Sequence, residues 1–113
     1  MASFIDSIDS PYVGAYYDVG NTFAFSWSEY WIDILGPRIT HIHVKGFKRE
    51  RGPNSGGTFT HGLDCGIRWE RVIPALRQAG YQGAVTAEVG KGKDEGYAEF
   101  YRKLADELNG MLA

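Results

Sequence analysis

The run Arg38-Ile39-Thr40-His41-Ile42-His43-Val44-Lys45-Gly46-Phe47 constrains this chain more than any other stretch. Side chains of an extended backbone alternate between two faces, so His41 and His43 share one side of a strand and Ile42 and Val44 the other. Such a strand has one face to bury and one face free for chemistry. Two further runs have the same layout. Tyr12–Asn21 sets Gly14, Tyr16 and Asp18 against Val13, Ala15 and Tyr17, and Gly83–Gly90 sets Ala84, Thr86 and Glu88 against Val85, Ala87 and Val89. The predicted strands cover about 12–18, 39–46 and 83–89, and each is followed by a helix-like stretch.

The helical segments follow from apolar spacing and from stop signals. Residues 2–10 space Phe4, Ile5 and Ile8 at helical intervals and stop before Pro11, which disfavours helix at Ser10. They read as the tail of a helix that begins upstream, and so as part of something larger. Val19-Gly20-Asn21 reads as a tight exit from the first strand. Ser26 and Glu29 fit a capping box that opens a helix to about Leu35, with Trp27, Trp31, Ile34 and Leu35 as its buried stripe and Gly36-Pro37 as its stop. Lys48 to Thr58 reads as a long loop. A helix over 69–78 turns Trp69, Val72, Ile73 and Leu76 inward, with Pro74 predicting a kink or a later start. The last helix, 95–112, repeats Tyr97, Phe100, Tyr101, Leu104, Leu108 and Met111 or Leu112 on one stripe.

Three successive βα units imply a parallel sheet with right-handed crossovers, and in such sheets chemistry gathers at the carboxyl ends of the strands. Asp18, His43 and Glu88 all fall there and on one face, which predicts that they converge on one divalent metal. One imidazole and two carboxylates suit Mn²⁺, Mg²⁺, Co²⁺ or Zn²⁺.

Bulk properties narrow the field. With 113 residues the chain is one domain at most, able to bury roughly 60–70% of its unfolded surface. A net charge of −2 lacks the basic footprint of a nucleic-acid binder. Cys65 is the single cysteine and forms no internal disulfide, which fits a loop thiol in a reducing cytosol. No apolar run reaches the ~20 residues of a membrane span, and Met1-Ala2-Ser3 lacks the layout of a signal peptide. A cytoplasmic protein without nucleic-acid or membrane partners is expected.

Four stretches together, in order and spacing, resemble a known family: Tyr17-Asp18-Val19-Gly20-Asn21, Arg38 to Lys45, Gly80-Tyr81-Gln82-Gly83 and Thr86-Ala87-Glu88. The chain is similar to the sugar-phosphate isomerase/epimerase family of xylose isomerase-like (β/α)₈ barrels, nearest to ketose and ketose-phosphate 3-epimerases. The resemblance implies that residues 1–113 are a C-terminal partial TIM-barrel domain, an α/β (βα)₃ fragment holding strands six to eight and led by the end of helix five. It implies a divalent metal held by four side chains, three of which match Asp18, His43 and Glu88. The fourth ligand, a glutamate, would lie before Met1, and that glutamate and Glu88 would be the two acid/base groups. The chain departs from the pattern at Gly46 and Arg68, where the family often has Asp, and at Asn21, where some relatives carry a substrate-binding His. Loss of an acidic residue at Arg68 removes a helix N-cap worth ~1 kcal/mol.

The implied reaction is proton transfer next to the carbonyl of a ketose or ketose phosphate, with Glu88 as the catalytic carboxylate and Asn21 and Arg49 as substrate contacts. Other readings stand beside it. Asp18 could simply cap a turn, and His41 could pack or support His43. Arg49 and Arg51 could be solvated loop charges, His61 is ambiguous, and Trp27, Trp31 and Trp69 read as helix–sheet packing. Lys45 reads as a salt-bridging residue rather than a substrate contact. A catalytically inactive truncated or self-assembling barrel module is the competing class. A DNA-repair endonuclease of the same superfamily would need more His ligands and a basic groove. Three strands leave two open edges, so a homo-oligomer that covers the face of Tyr16, His41 and Thr86 is expected.

Overall fold

The structure is a computed structural model that describes residues 1–63 and 65–113, and its three alternating runs form one parallel sheet. Strand β2 (Ile39–Val44) lies at the centre, between β1 (Ala15–Asp18) and β5 (Val85–Ala87). The register sets Asp18 opposite His43 and His43 opposite Thr86, so one row across the sheet carries the predicted chemistry. A register shift between Ala15 and Tyr16 leaves Thr40 as an extra residue, and alternation then resumes with His41 and His43 on the open side. Past the end of β5 the ladder continues for one bond, from the Glu88 N–H to the Val44 carbonyl at 3.0 Å.

The buried side of the sheet is apolar. Tyr17, Ile39, Ile42 and Val44 pack there with Val85 and Ala87, beneath helices α2 (Val19–Phe25), α3 (Ser28–Leu35) and α4 (Trp69–Gln78). A leading helix, α1 (Ala2–Ile8), ends at Asp9 in the left-handed region, two residues before Pro11. The opposite side of the sheet is uncovered, with Tyr16 58% exposed and His41 and Thr86 also exposed.

Several local expectations give way to tertiary packing. Val19-Gly20-Asn21 is not an exit turn but the first turn of α2. Ser26 closes α2, its N–H on the Thr22 carbonyl, so it does not cap α3, and Trp27 precedes α3 without a side-chain cap. The rotation of α3 is set by Ser28, which donates to the Val19 carbonyl at 2.9 Å and accepts from the Tyr17 hydroxyl at 2.8 Å. With Ser28 held inward, Ile32 and Leu35 are buried and Ile34 turns out to solvent, while Trp27 and Trp31 pack at the edge of the core.

The stretch predicted as one long loop contains an antiparallel hairpin, β3 (Phe47–Arg49) with β4 (Gly57–Phe59). Gly57 sits at φ 155°, and a Cβ there would lie 2.4 Å from the Lys48 carbonyl oxygen. Helix α4 runs through Pro74 without a later start. Pro74 and Glu70 are both exposed, so the carbonyl that loses its helical donor lies on the solvent side of the helix. Helix α5 (Tyr97–Leu112) docks through Phe100, Leu104, Leu108 and Met111, while Tyr97 and Tyr101 stack on each other outside. Arg68 makes no cap at the start of α4. Its guanidinium instead pairs with buried Glu29 and lies 3.8 Å over the Trp27 ring, which ties α4 to α3.

Two measurements test this packing. Ile42 is fully buried at the centre of the sheet, so Ile42→Ala should lower stability by about 2–5 kcal/mol in urea unfolding. Burial, with the charges of Asp18 and Glu29 added, pushes the Tyr17 phenol up to about 12. Its raised folded value means that neutral Tyr17 contributes stability below the ordinary pKa near ~10. That contribution is lost as pH climbs toward 12. Absorbance at 295 nm should therefore show one tyrosine that ionises last, together with unfolding.

Candidate metal centre

Asp18 ends β1 and at the same time caps α2, its Oδ1 accepting the Asn21 N–H at 2.7 Å. Its second oxygen, Oδ2, is buried, and what faces it is the Lys45 ammonium, 3.2 Å away. The capping and site readings of Asp18 are therefore compatible, one oxygen to each. Oδ2 lies 3.7 Å from His43 Nδ1, and Glu88 Oε2 lies 3.6 Å from the same nitrogen. One ligand atom from each of Asp18, His43 and Glu88 falls within 4.8 Å of the others. The parallel register supplies the first two, and the bond from the Glu88 N–H to Val44 supplies the third.

His43 is oriented from behind. Its Nε2 meets the Tyr16 hydroxyl at 2.7 Å, and the two rings lie 4.5 Å apart. A partner on the far nitrogen fixes which nitrogen is offered forward, the arrangement usual for metal-ligating histidines. His41 stays outside the cluster, edge-on to Tyr16 at 5.2 Å, and so buttresses the residue that holds His43.

Lys45 also reaches the cluster. It stands two residues after His43, just past the end of β2, so the alternation that turns His41 and His43 to the open face turns Lys45 there too, and its salt-bridging role is met at the site. Its Nζ is 2.5 Å from Glu88 Oε2 and 3.2 Å from Asp18 Oδ2, and the side chain is 12% exposed. Burial opposes the charge, yet hydrogen bonds and charges from Glu88 and Asp18 outweigh it, so the ammonium is held above its ordinary pKa. In return the Lys45 ammonium, helped by His43, holds the Glu88 carboxyl below the usual carboxylate range. Gly20 makes the path possible, since a Cβ there would lie 2.3 Å from Lys45 Cγ. Gly46 is similarly required, because a Cβ would meet Thr60 Oγ1 at 1.9 Å and the Gly62 carbonyl at 2.7 Å. The space an acidic side chain would take at 46 is filled by the Thr60 side chain and the Gly62 carbonyl.

The remaining candidates lie apart from these donors. Asn21 is exposed and lines, with Tyr16, Asp18 and Trp31, an open groove of 400 Å³. The Arg49 guanidinium donates to the Phe23 carbonyl at 2.6 Å and to the Ser26 carbonyl, and lies 3.8 Å over the Phe23 ring. These bonds fasten the hairpin to the C-terminus of α2. His61 joins the Gly90 carbonyl at 3.0 Å. Tyr16 shared a predicted face with Asp18, but nothing in its spacing marked a bond to His43.

The donors fit a divalent ion. One imidazole nitrogen and two carboxylates, one with a buried oxygen met only by a cation, form a mixed N/O set, and three protein ligands leave positions for water or substrate.

Comparison with known proteins places this geometry. The family model described as xylose isomerase-like TIM barrel matches residues 1–108. No curated protein is a significant match. A xylose isomerase domain protein from Planctomyces limnophilus superposes with a TM-score of 0.74 at 18% identity, covering 96% of this chain and 39% of that one. A xylose isomerase domain protein from Alicyclobacillus acidocaldarius subsp. acidocaldarius gives 0.73 at 23% identity, covering 97% and 40%. The IolI protein, whose crystal structure holds a zinc atom, gives 0.66 at 16% identity, covering 98% and 38%. At these identities the likeness is one of fold, and the chain spans about two-fifths of the length of each. The (βα)₃ sheet is a fragment of that barrel, and the chain belongs to the xylose isomerase-like TIM barrel family.

Proposed function

We propose that this chain carries part of the active site of a metal-dependent sugar isomerase or epimerase, acting beside the carbonyl of a ketose or ketose phosphate. One observation carries the reading: Asp18 Oδ2, His43 Nδ1 and a Glu88 oxygen meet at the carboxyl edge of parallel strands in a chain of this family. Asp18, His43 and Glu88 would hold the ion, Mn²⁺, Mg²⁺, Co²⁺ or Zn²⁺, and the IolI protein, of like fold, has a zinc atom in its crystal structure. When bound, a divalent ion supplies Lewis acidity toward the carbonyl and neighbouring hydroxyl oxygens of such a sugar.

The chain's own residues would do the rest. Glu88 is 56% exposed and kept ionised by the cation beside it, Lys45 in the metal-free chain or a bound ion, so its carboxylate is available to take a proton from the carbon beside the carbonyl. Tyr16 holds the His43 ring, and Asp18 joins the site to the first turn of α2. That turn presents Asn21, whose exposed amide is placed to bond a sugar hydroxyl. A phosphate contact by Arg49 would draw its guanidinium away from the Phe23 and Ser26 carbonyls. Among the described residues the metal-ligand cluster offers two carboxylates, Asp18 and Glu88, and Asp18 is committed to the cap of α2. The fragment therefore supports proton exchange on one face, and inversion needs a carboxylate from elsewhere.

A second reading, an inert or self-assembling module, is favoured by the uncovered sheet face with exposed Tyr16, His41 and Thr86. In both readings a further copy of the chain covers that face, giving a homo-oligomer, and a monodisperse monomer in light scattering at high concentration overturns this. A cytoplasmic setting, on the strength of the lone thiol Cys65, belongs to both as well.

Calorimetric titration with Mn²⁺ or Zn²⁺ separates them: the enzyme reading expects binding that His43→Ala abolishes, and the inert reading expects none. In D₂O, a ketose phosphate should lose its proton beside the carbonyl by NMR, and Glu88→Gln should slow that exchange by about 10²-fold or more.

A further inference from the structure

We propose that Lys45 is a tethered rival of the metal ion, holding the same two carboxylate oxygens and leaving them when an ion enters. The inference rests on the metal-site reading above. The two oxygens nearest the ammonium, Asp18 Oδ2 and Glu88 Oε2, are the two that face His43 Nδ1 at 3.7 and 3.6 Å. A divalent ion bound to a carboxylate oxygen sits at roughly 2.0–2.6 Å. The ammonium is already 2.5 Å from one of these oxygens and 3.2 Å from the other. Two cations in so small a volume, half-screened from water, repel strongly, so occupancy by one excludes the other.

The surroundings are shaped for a movable side chain. The stem crosses Gly20, which leaves room for Lys45 Cγ where any side chain would block it. On the hairpin, the exposed Phe59 ring already lies with its centroid 4.9 Å from Nζ, outside the cluster itself. A cation gains on an aromatic face without giving up its hydration, so an ammonium displaced from the carboxylates turns toward Phe59 rather than into open solvent. Lys45 thus neutralises part of the charge of Asp18 and Glu88 in the metal-free chain, and it sets the affinity of the site when an ion arrives.

Lys45→Met keeps the length of the stem and removes the charge. It should tighten Zn²⁺ or Mn²⁺ binding by about ten-fold or more in calorimetry, the loss of one hydrogen bond to a charged rival. On the unsubstituted chain, acylation of Lys45 by an N-hydroxysuccinimide ester, read by mass spectrometry, should rise several-fold on adding Zn²⁺ relative to Lys48 and Lys103. Should Lys45→Met fail to fold, that measurement decides alone. Equal or weaker metal binding by Lys45→Met beside a wild-type site that depends on His43 overturns the rivalry and leaves the metal site standing, and so does Lys45 acylation that stays level or falls. No binding by either protein overturns both.

Discussion

The pairing of β1 with β2 is the constraint on which the rest depends. Parallel strands in this register put Asp18 beside His43 at the same height, and β5 on the other side of β2 brings Thr86 level with them. Ile42 and Val44, fully buried on the other face, hold the register, since a one-residue slip would exchange them with the histidines. The site and the core are therefore two faces of one alternation: what keeps the sheet packed also keeps the imidazole aimed.

Around that row each polar group has more than one task. Asp18 spends one oxygen on the start of α2 and leaves the other buried toward His43. Tyr16 and Tyr17 are neighbours with opposite duties. The first orients His43 on the open face, and the second, on the buried face, bonds Thr22 and the Ser28 carbonyl and so sets the rotation of α3. Glu29, Arg68, Trp27 and Arg49 form a second polar layer beneath the helices, with the two guanidinium groups lying over the Trp27 ring. Arginine suits this place, because its flat cation stacks on aromatic faces and still donates at its edges. Residues that read as loop charges or lost caps act there as fasteners between elements.

Much of the fold was legible because it is written in short-range patterns. Strict alternation marked all three parallel strands, and Val72, Ile73 and Leu76 marked α4. The candidate site was legible for the same reason, since Asp18, His43 and Glu88 sit late in their strands on one face. What escaped was decided across the chain. Ser26 and Glu29 have the spacing of a capping box, but burying Glu29 against Arg68 wins over a surface cap. Ile34 satisfied the helical period yet faces solvent, because the anchoring of Ser28 rotates α3. The β3–β4 hairpin hid in a stretch of glycines and charges, where turn formers masked three-residue strands.

The amino-acid sequence by itself determined the alternating faces, the order of strand and helix, and the three donors at the strand ends, because side-chain periodicity depends only on local backbone geometry. Only the tertiary structure decided that Lys45 reaches both carboxylates across Gly20, that Tyr16 holds His43 from behind, and that Arg49 is drawn to the end of α2. Long flexible side chains beyond the end of a strand follow the electrostatic field and the space around them. Both are made by residues distant in the chain, so no local period records them.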